Sequence, residues 1–351
     1  MSAVPEQHPA TAQPDPNTPH APRPAGEGYQ GKHRADPEAL SVWATAQFTG
    51  PVQRRGRYVP ESVKHPARML PAIAAHAVRA YTRPGDLVLD PMCGIGTTLV
   101  EAVHAGRDAF GIEYEPQWSN IADANIRHAH DQGATGRASV IRGDSTRLMS
   151  LVPAALTGQV ALVVTSPPYG PTVHGLVRPG ADGVVKHDDR YNDGQDRGNL
   201  AYRDLTGLAD GFTRILAGCA TLLRPGGVVV VTARPWRKRG ELVDLPSAVI
   251  AAGQRAGLVP IERCVALLAA VRDGHLVARP SFFQLQQVRK ARAGGVPMHL
   301  IAHEDVLILA KPMKPPGSRE PEHPNGELDG ASGSSERMGT RVQGEGEGSM
   351  S

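Results

Sequence analysis

The sequence predicts a doubly wound α/β fold with a mostly parallel seven-stranded sheet, an antiparallel edge strand and disordered tails at both ends. Between residues 41 and 312, short β-branched runs alternate with helical patterns, as expected for a parallel sheet crossed by helices. Most runs are almost continuously hydrophobic, which is typical of strands buried on both faces. Residues 1–40 and 313–351 are rich in Pro, Gly and polar residues without apolar periodicity, so we expect both tails to be disordered.

Seven strands and four helices are predicted in this block, and each helix ends near a Gly or Pro. The strands are Asp86–Asp90, Ala109–Glu113, Ala138–Asp144, Val160–Ser166, Gly227–Arg234, Leu258–Leu268 and His303–Lys311. The helices are Thr97–Gly106, Gln117–His130, Thr206–Leu223 and Pro246–Gly257. The last two strands lack a helical crossover, so we expect an antiparallel hairpin with a long excursion at one edge of the sheet.

Composition excludes several classes of protein. Cys93, Cys219 and Cys264 lie far apart without a CxxC pair, which argues against a structural zinc site or a disulfide framework and favours a reducing, cytoplasmic location. The first residues lack the basic and apolar segments of a signal peptide, and no apolar run is long enough for a membrane span. The formal net charge of +3 is compatible with a nucleic-acid partner.

A glycine-rich loop follows the first strand in LVLDPMCGIGTTLVEA. Glycines let the backbone approach a ligand closely, and open α/β sheets bind ligands at the carboxyl ends of their strands. The loop lacks the Lys of a phosphate-binding GxxxxGK[ST] motif, and Leu99 stands where a dinucleotide motif has its third glycine. The candidate cofactor-binding residues of this segment are Asp90, Pro91, Gly94, Gly96, Thr97 and Thr98.

Acidic residues end three successive strands. Asp90 ends the first strand, Glu113 is placed to accept from a ribose diol, and Asp144 is placed to accept from an adenine amino group. With a glycine turn that lacks a phosphate-binding Lys, these acids fit a cofactor with ribose, adenine and a cationic centre, such as S-adenosylmethionine. The alternative is that the acids only cap helices, as Asp and Glu commonly do.

Two motifs resemble those of a known family. The segment HPARMLPAIAAHAVRAYTRPGDLVLDPMCGIGTTLVEA resembles the cofactor region of S-adenosylmethionine-dependent methyltransferases that act on exocyclic amines of DNA bases, and TSPPYG resembles their catalytic motif. The resemblance spans about Tyr58–Lys311 and implies a Rossmann-like methyltransferase domain. It also implies that His65, Pro66 and Met69 lie against the methionine part of the cofactor and that Glu113 holds the ribose. The alternative for HPARML is an ordinary helix start with an early Pro.

The TSPPYG segment ends a buried strand with two prolines, which lack backbone N–H donors. An exocyclic amine is a poor nucleophile because its lone pair is delocalised into the ring, so acceptors aimed at its hydrogens favour the tetrahedral nitrogen that takes a methyl group. We expect Ser166 Oγ and the Pro167 carbonyl to be these acceptors. Pro168 stiffens the loop and Tyr169 stacks on the base. The alternative is a proline turn with a core tyrosine, and ring-carbon methylation is disfavoured because no cysteine follows a proline.

Ser166 favours cytosine N4 as the methylated amine, since the resembling family has Ser at this position more often in cytosine enzymes and Asp or Asn in adenine enzymes. Many cytosine-N4 enzymes place the catalytic motif before the cofactor motif, whereas here the cofactor motif comes first. This order, with PPYG, also resembles tRNA guanosine-N2 methyltransferases. Because both quoted motifs resemble those of DNA methyltransferases, DNA is the expected partner, and RNA is the alternative. Adenine N6 is an alternative target, and a non-catalytic nucleic-acid-binding protein is a rival from another class.

Two basic clusters and one polar segment are candidates for nucleic-acid contact. The first cluster consists of Arg234, Arg237, Lys238 and Arg239. It leaves the fifth strand on the active-site face, and Lys and Arg in loops suit phosphate contacts. The second consists of Arg289, Lys290 and Arg292, for which a solvated surface is an equal alternative. Residues 170–204 follow the catalytic motif as a possible substrate-recognition insert or a segment without function. No metal site is expected.

Overall fold

The structure, a computed structural model, describes residues 40–168, 176–180, 183–187, 199–238, 241–280 and 282–313. Of residues 176–180 and 183–187 only the backbone is described. The chain divides into two compact units, Met1–Met313 and Lys314–Ser351, and every described residue belongs to the first. The predicted tails 1–40 and 313–351 lie almost entirely outside the described residues.

The strands of the described residues form one large sheet and three hairpins. The large sheet contains β1 (Val42–Trp43), β2 (Leu87–Asp90), β3 (Asp108–Glu113), β4 (Ala138–Arg142), β5 (Val160–Thr165), β8 (Leu223–Ala233), β11 (Val259–Leu267) and β14 (His303–Ala310). The hairpins pair β6 (Leu176–Gly180) with β7 (Gly183–His187), β9 (Trp236–Lys238) with β10 (Glu241–Val243), and β12 (Ala270–Arg272) with β13 (His275–Val277).

The large sheet has eight strands in the order β1-β11-β14-β8-β5-β2-β3-β4. Strand β14 runs antiparallel to both neighbours, and the other pairings are parallel. This order confirms the predicted doubly wound, mostly parallel sheet and the antiparallel pairing of the last two strands. The fold is Rossmann-like.

Two details of the predicted sheet need correction. Strand β1 adds an eighth strand beside β11, because Val42 and Trp43 pair with Val265 and Ala266. The antiparallel strand β14 lies inside the sheet, between β8 and β11, and not at its edge. In this position the backbone N–H and C=O groups of β14 find hydrogen-bond partners on both sides. An edge strand would leave one side unpaired, which does not suit a strand whose central residues are fully buried.

Helices cover both faces of the sheet. They are α1 (Gly50–Arg54), α2 (Pro71–Tyr81), α3 (Thr97–His104), α4 (Pro116–Asp131), α5 (Leu148–Leu151), α6 (Leu205–Leu222), α7 (Leu245–Arg255) and α8 (Phe282–Ala293). Apolar residues of α2, α3 and α4 form one core with one face of the sheet, and those of α5, α6 and α7 form the other. None of the helices in the described ranges has the length and apolar content that crossing a bilayer requires.

The fold brings several loops to one edge of the sheet. Strands β2, β3, β5 and β8 are parallel, so their carboxyl ends lie together. Strand β14 begins at this edge because it is antiparallel, and β11 ends there. The residues after β2, β3, β4, β5 and β8 therefore surround a common space.

Candidate functional site

A cavity of about 370 Å³ opens at the carboxyl edge of the sheet. Its size is that of a small-molecule site. Fourteen of the residues predicted from sequence line it: His65, Pro66, Met69, Asp90, Pro91, Gly94, Thr97, Thr98, Glu113, Asp144, Ser166, Pro167, Pro168 and Arg234. The cofactor-region residues and the SPP residues thus share one space, although they come from segments up to about a hundred residues apart.

The two glycines of the loop have different surroundings. Both have a positive φ, +54° at Gly94 and +79° at Gly96, which favours glycine. A Cβ at Gly94 would lie 3.1 Å from Nε2 of His65, so this glycine keeps the loop close to a residue of the cavity wall. A Cβ at Gly96 would lie 3.2 Å from that of Ala122 on α4, and Gly96 is not among the residues that line the cavity. Gly96 therefore lets the loop pack on α4.

Asp90 connects the end of β2 to the loop and to α3. Its Oδ1 accepts from the Met92 N–H at 3.1 Å, and its Oδ2 accepts from Thr98 Oγ1 at 2.7 Å. Burial raises the pKa of this carboxyl to about 6, although these hydrogen bonds oppose the shift. Asp90 and Thr98 thus fix the turn in which the glycines lie.

Glu113 holds the same loop from the end of β3. Its Oε2 accepts from the Gly94 N–H at 2.7 Å, and its Oε1 accepts from the Glu115 N–H at 2.9 Å. Burial raises the pKa of Glu113 to about 7 against the effect of the two N–H donors. Each carboxylate oxygen retains a second lone pair, so Glu113 has acceptor capacity left for a ligand hydroxyl.

Asp144 both caps a turn and lines the cavity. Its Oδ1 accepts from the backbone N–H of Thr146 at 2.9 Å and from the Thr146 hydroxyl at 2.8 Å, at the start of the 3₁₀ helix Ser145–Arg147. This is the capping role named as the alternative in the sequence analysis. Asp144 also lines the cavity, and its other oxygen, Oδ2, is the one suited to accept from a ligand donor.

The HPARML segment forms the wall beside the glycine loop. It lies between the 3₁₀ helix Pro60–Lys64 and α2, which begins at Pro71, so HPARML is not the first turn of that helix. His65 Nδ1 accepts from the Ala67 N–H at 3.2 Å, and the ring packs edge-on against Trp118 with centroids 4.6 Å apart. Burial lowers the pKa of His65 to about 3, so the ring is neutral at physiological pH.

Arg54 and Glu101 anchor the residues that lead into this wall. A guanidinium nitrogen of Arg54 donates to the Met69 carbonyl. Glu101 on α3 accepts from Arg57 at 2.6 and 2.8 Å and from the Tyr58 hydroxyl at 2.8 Å. Because Glu101 is only 4% exposed, this ion pair acts as a buried connection between the segment before the wall and α3.

Asn125 on α4 is a further buried connection that the sequence analysis missed. Its Nδ2 donates to the Ile95 carbonyl at 2.8 Å and to Ser62 Oγ at 2.9 Å. Its Oδ1 accepts from the Val59 N–H at 2.8 Å and from Ser62 Oγ at 3.2 Å. One side chain thus joins α4, the glycine loop and the segment before His65. These contacts span 30 to 66 residues of sequence, so no local pattern signals them.

Asn199 and Glu115 form a second connection outside the prediction. Asn199 Nδ2 donates to Glu115 Oε1 at 2.7 Å, and both residues line the cavity. Glu115 is 2% exposed and follows β3. Asn199 also caps the 3₁₀ helix Leu200–Tyr202, a pattern visible in the sequence, but its contact with Glu115 joins residues 84 positions apart. The end of the predicted insert is therefore fixed beside the end of β3.

The SPP residues follow β5 and face the same cavity. Pro167 is buried, Ser166 and Pro168 are half-buried, and all three line the cavity. Tyr169, the fourth predicted catalytic residue, lies outside the described residues, as does most of the predicted insert 170–204. Thr232 near the end of β8 lines the cavity as well, and its buried hydroxyl has no hydrogen-bond partner within the described part of the chain.

The first basic cluster divides between the cavity and a hairpin. Arg234 lines the cavity directly after β8. Arg237 is exposed on β9 and is not among the lining residues, while only the backbone of Lys238 is described and Arg239 lies outside the described residues. Within the described ranges, no cluster of three or more His, Cys, Asp or Glu side chains is arranged to hold a metal ion.

Comparison with known proteins finds a family model, curated relatives and solved structures that are similar to parts of this chain. Residues 10–124, about a third of the chain, match a family model described as DNA methylase. The chain is 32% identical over 108 residues to the tRNA (guanine(10)-N2)-dimethyltransferase of Methanocaldococcus jannaschii, covering 30% of each protein. It is 29% identical over 104 residues to the type II methyltransferase M.BglI of Bacillus subtilis, covering 29% of this chain and 28% of the relative.

The chain matches less than a third of the length of each of these curated relatives. Among solved structures, it is similar to TrmN from Thermus thermophilus, with a TM-score of 0.41 and 18% identity over 74% of this chain and 53% of that one. Residues 10–124 contain the HPARML wall, the glycine loop and Glu113, whereas Asp144 and the SPP residues lie beyond them. Over the segment that forms the glycine-loop side of the cavity, this chain is similar to the DNA methylases.

Proposed function

We propose that the protein transfers a methyl group from S-adenosylmethionine to an exocyclic amine of a DNA base, and that this amine is N4 of cytosine. The observation that carries the proposal is the shared cavity. A glycine loop with acidic strand ends forms one side of it, and Ser166, Pro167 and Pro168 form another. The similarity of residues 10–124 to DNA methylases supports DNA as the substrate.

The residues present fit S-adenosylmethionine. Gly94 has a positive φ, and a Cβ placed there would lie 3.1 Å from His65 Nε2, so the loop presents bare backbone to the cavity at this position. Glu113 is suited to the ribose hydroxyls and Asp144 to the adenine amine, while His65, Pro66 and Met69 are suited to the methionine part. A neutral His65 adds no positive charge beside a cationic cofactor. When bound, S-adenosylmethionine supplies a methyl group on a sulfonium sulfur.

Ser166 and Pro167 are proposed to prepare the acceptor amine. The two N–H groups of the amine donate to Ser166 Oγ and to the Pro167 carbonyl, which favours the tetrahedral nitrogen needed for attack. Because Pro167 and Pro168 have no N–H, the segment leaves the sheet and its carbonyls are not committed to a strand ladder. Tyr169 is proposed to stack on the base, which is taken out of the duplex.

Ring-carbon methylation does not suit the cavity. It requires a cysteine nucleophile, and the cysteine that lines the cavity is Cys93. Burial raises the pKa of the Cys93 thiol well above its ordinary value, and Glu113 and Asp90 raise it further. Cys93 therefore stays a protonated thiol packed in the core, which leaves the exocyclic amine as the proposed acceptor.

RNA is the second candidate substrate. The observation in its favour is the 32% identity to a tRNA (guanine(10)-N2)-dimethyltransferase, whose named target is also an exocyclic amine. Adenine N6 is the alternative within DNA, because its amine presents similar hydrogens to Ser166 and Pro167.

A transfer assay with labelled S-adenosylmethionine tests the proposal. We expect label in duplex DNA and not in bulk tRNA, and hydrolysis to nucleosides should give N4-methylcytosine. Ser166→Ala should lower kcat by about 100-fold or more, by loss of one preorganised hydrogen-bond partner, with little change in cofactor Kd. Ser150→Ala, an exposed serine outside the cavity, is the matched control. Label only in tRNA, or methyladenine in DNA, would replace the cytosine proposal with the corresponding alternative.

A further inference from the structure

We propose that residues 268–302, which we call the basic arm, bind the sugar–phosphate backbone of double-stranded DNA beside the cavity. The inference rests on the proposed function and names the part of the surface that holds the substrate. The arm is the excursion between β11 and β14, and the structure describes its residues 268–280 and 282–302.

Both ends of the arm adjoin the lining of the cavity. Strand β11 ends at Leu267 and β14 begins at His303. The adjoining residues Leu268 and Glu304 line the cavity. A duplex held by the arm would therefore lie next to the space that contains Ser166.

The arm carries an excess of positive charge. Its cations are Arg272, Arg279, Arg289, Lys290 and Arg292, and Asp273 is its single acid. Five cations against one acid give a net charge of +4, whereas the whole chain has a net charge of +3. The arm thus has a higher density of positive charge than the chain as a whole, and such a local excess favours long-range attraction to a polyanion.

These cations are not neutralised by carboxylates within the described residues. Arg272 donates to the side chain of Gln47 at 2.6 Å and to its carbonyl at 2.7 Å, which are neutral acceptors. Arg292 contacts the Met298 carbonyl at 3.4 Å. All five cationic residues are exposed. Their charges therefore remain available to phosphate oxygens.

The arm is a structured surface. The hairpin β12–β13 turns at Asp273 and Gly274, both with positive φ, and Arg272 fixes it to Gln47. In α8, Val288 is the one buried side chain among residues 284–293. Among residues 284–293, α8 is thus half-buried or exposed apart from Val288, unlike α2, α3, α4, α6 and α7, which bury several residues each. Preformed cations cost little ordering entropy when they bind phosphates.

A charge-neutralised variant of the full chain tests the arm. We compare Arg289→Gln/Lys290→Gln/Arg292→Gln with the wild type by measuring Kd for a duplex of arbitrary sequence over a series of salt concentrations. The matched control is Arg79→Gln/Arg83→Gln/Arg214→Gln, which removes the same charge from exposed sites on α2, before β2 and on α6. The unfolding midpoint of each variant confirms that it is folded.

We expect the arm variant to show a slope of log Kd against log salt that is shallower by about 2.7, because each lost phosphate contact removes about 0.9. The KM for DNA should rise, while the slope of the control variant should match that of the wild type. An unchanged slope in a folded arm variant, with transfer to DNA intact in the wild type, would overturn the arm and leave the proposed function standing.

The other outcomes separate the two proposals. A shallower slope in the arm variant, together with a wild-type chain that transfers no methyl group to DNA, would support the arm and remove the proposed function. A slope that changes on tRNA but not on duplex DNA would overturn the arm as a DNA-binding surface. Equal loss of slope in the arm and control variants would also overturn it, since the effect would then follow net charge and not position.

Discussion

Replacing Asn125 with alanine tests how the segment before His65 supports the glycine loop. The side chain is completely buried and makes contacts of 2.8, 2.8, 2.9 and 3.2 Å. Alanine would leave the Val59 N–H and the Ile95 carbonyl without these partners. Each unsatisfied group costs about 1–3 kcal/mol, so the variant should lose about 3 kcal/mol of unfolding free energy in total.

That loss corresponds to a decrease in Tm of about 6–12 °C for a domain of this size. Ile95 lies between Gly94 and Gly96, so loss of its partner should also loosen the loop and weaken S-adenosylmethionine binding. We would measure unfolding in urea and cofactor Kd by calorimetry.

Asn120→Ala is the matched control, because Asn120 is exposed on the same helix and its truncation should change stability by about 0.5 kcal/mol at most. The reasoning is refuted if the two variants have the same stability. It is also refuted, for the loop, if Asn125→Ala is strongly destabilised yet binds the cofactor as the wild type does.

Two further predictions concern the glycine loop and its acidic partner. Gly94→Ala should cost about 1–2 kcal/mol from its positive φ and should also weaken cofactor binding, since the new Cβ would lie 3.1 Å from His65 Nε2. Gly85 also has a positive φ, and a Cβ placed there would have no atom within 4 Å, so Gly85→Ala should lower stability without changing cofactor binding. Equal cofactor binding by the two variants would contradict the steric argument. Cofactor affinity should rise with pH through about 7, because Glu113 accepts ribose hydroxyls best when ionised, and Glu113→Gln should flatten this rise. Folding raises the pKa of Glu113 from its ordinary 4.5 to about 7. The stability that the protonated carboxyl contributes is therefore complete below pH 4.5 and is lost as the pH rises from 4.5 to about 7. A Glu113→Gln variant with an unchanged pH profile would exclude this carboxyl as the titrating group.

Local sequence patterns were sufficient for the elements that form the sheet and the loop at its edge. Runs such as VALVVT predict buried strands because both faces must be apolar. The acids Asp90 and Glu113 follow from their position at strand ends, where parallel strands meet at one edge. For this reason the predicted residues at the ends of five strands line one cavity, and the HPARML segment adds a sixth stretch of chain to its lining. Their roles in binding and transfer remain predictions.

Long-range packing decided the remaining features. The position of β14 inside the sheet depends on which strand edges are left to pair, and a buried hydrophobic run gives no sign of its neighbours. The local pattern of Gly96 predicts close approach of a ligand and gives no sign that a Cβ there would lie 3.2 Å from that of Ala122 on α4. The roles of Asn125 and Asn199 depend on partners 30 to 84 residues away.

The sequence by itself determined the doubly wound class, the strands that carry the acids, and the SPP break after β5, because hydrophobic periodicity and proline act on neighbouring residues. Only the tertiary structure decided that Asp144 caps a turn while lining the cavity, that Arg234 reaches the cavity, and that the two ends of the basic arm adjoin its lining. These features depend on which distant segments share one edge of the sheet, and that choice is made by burial of the whole core and not by any local pattern.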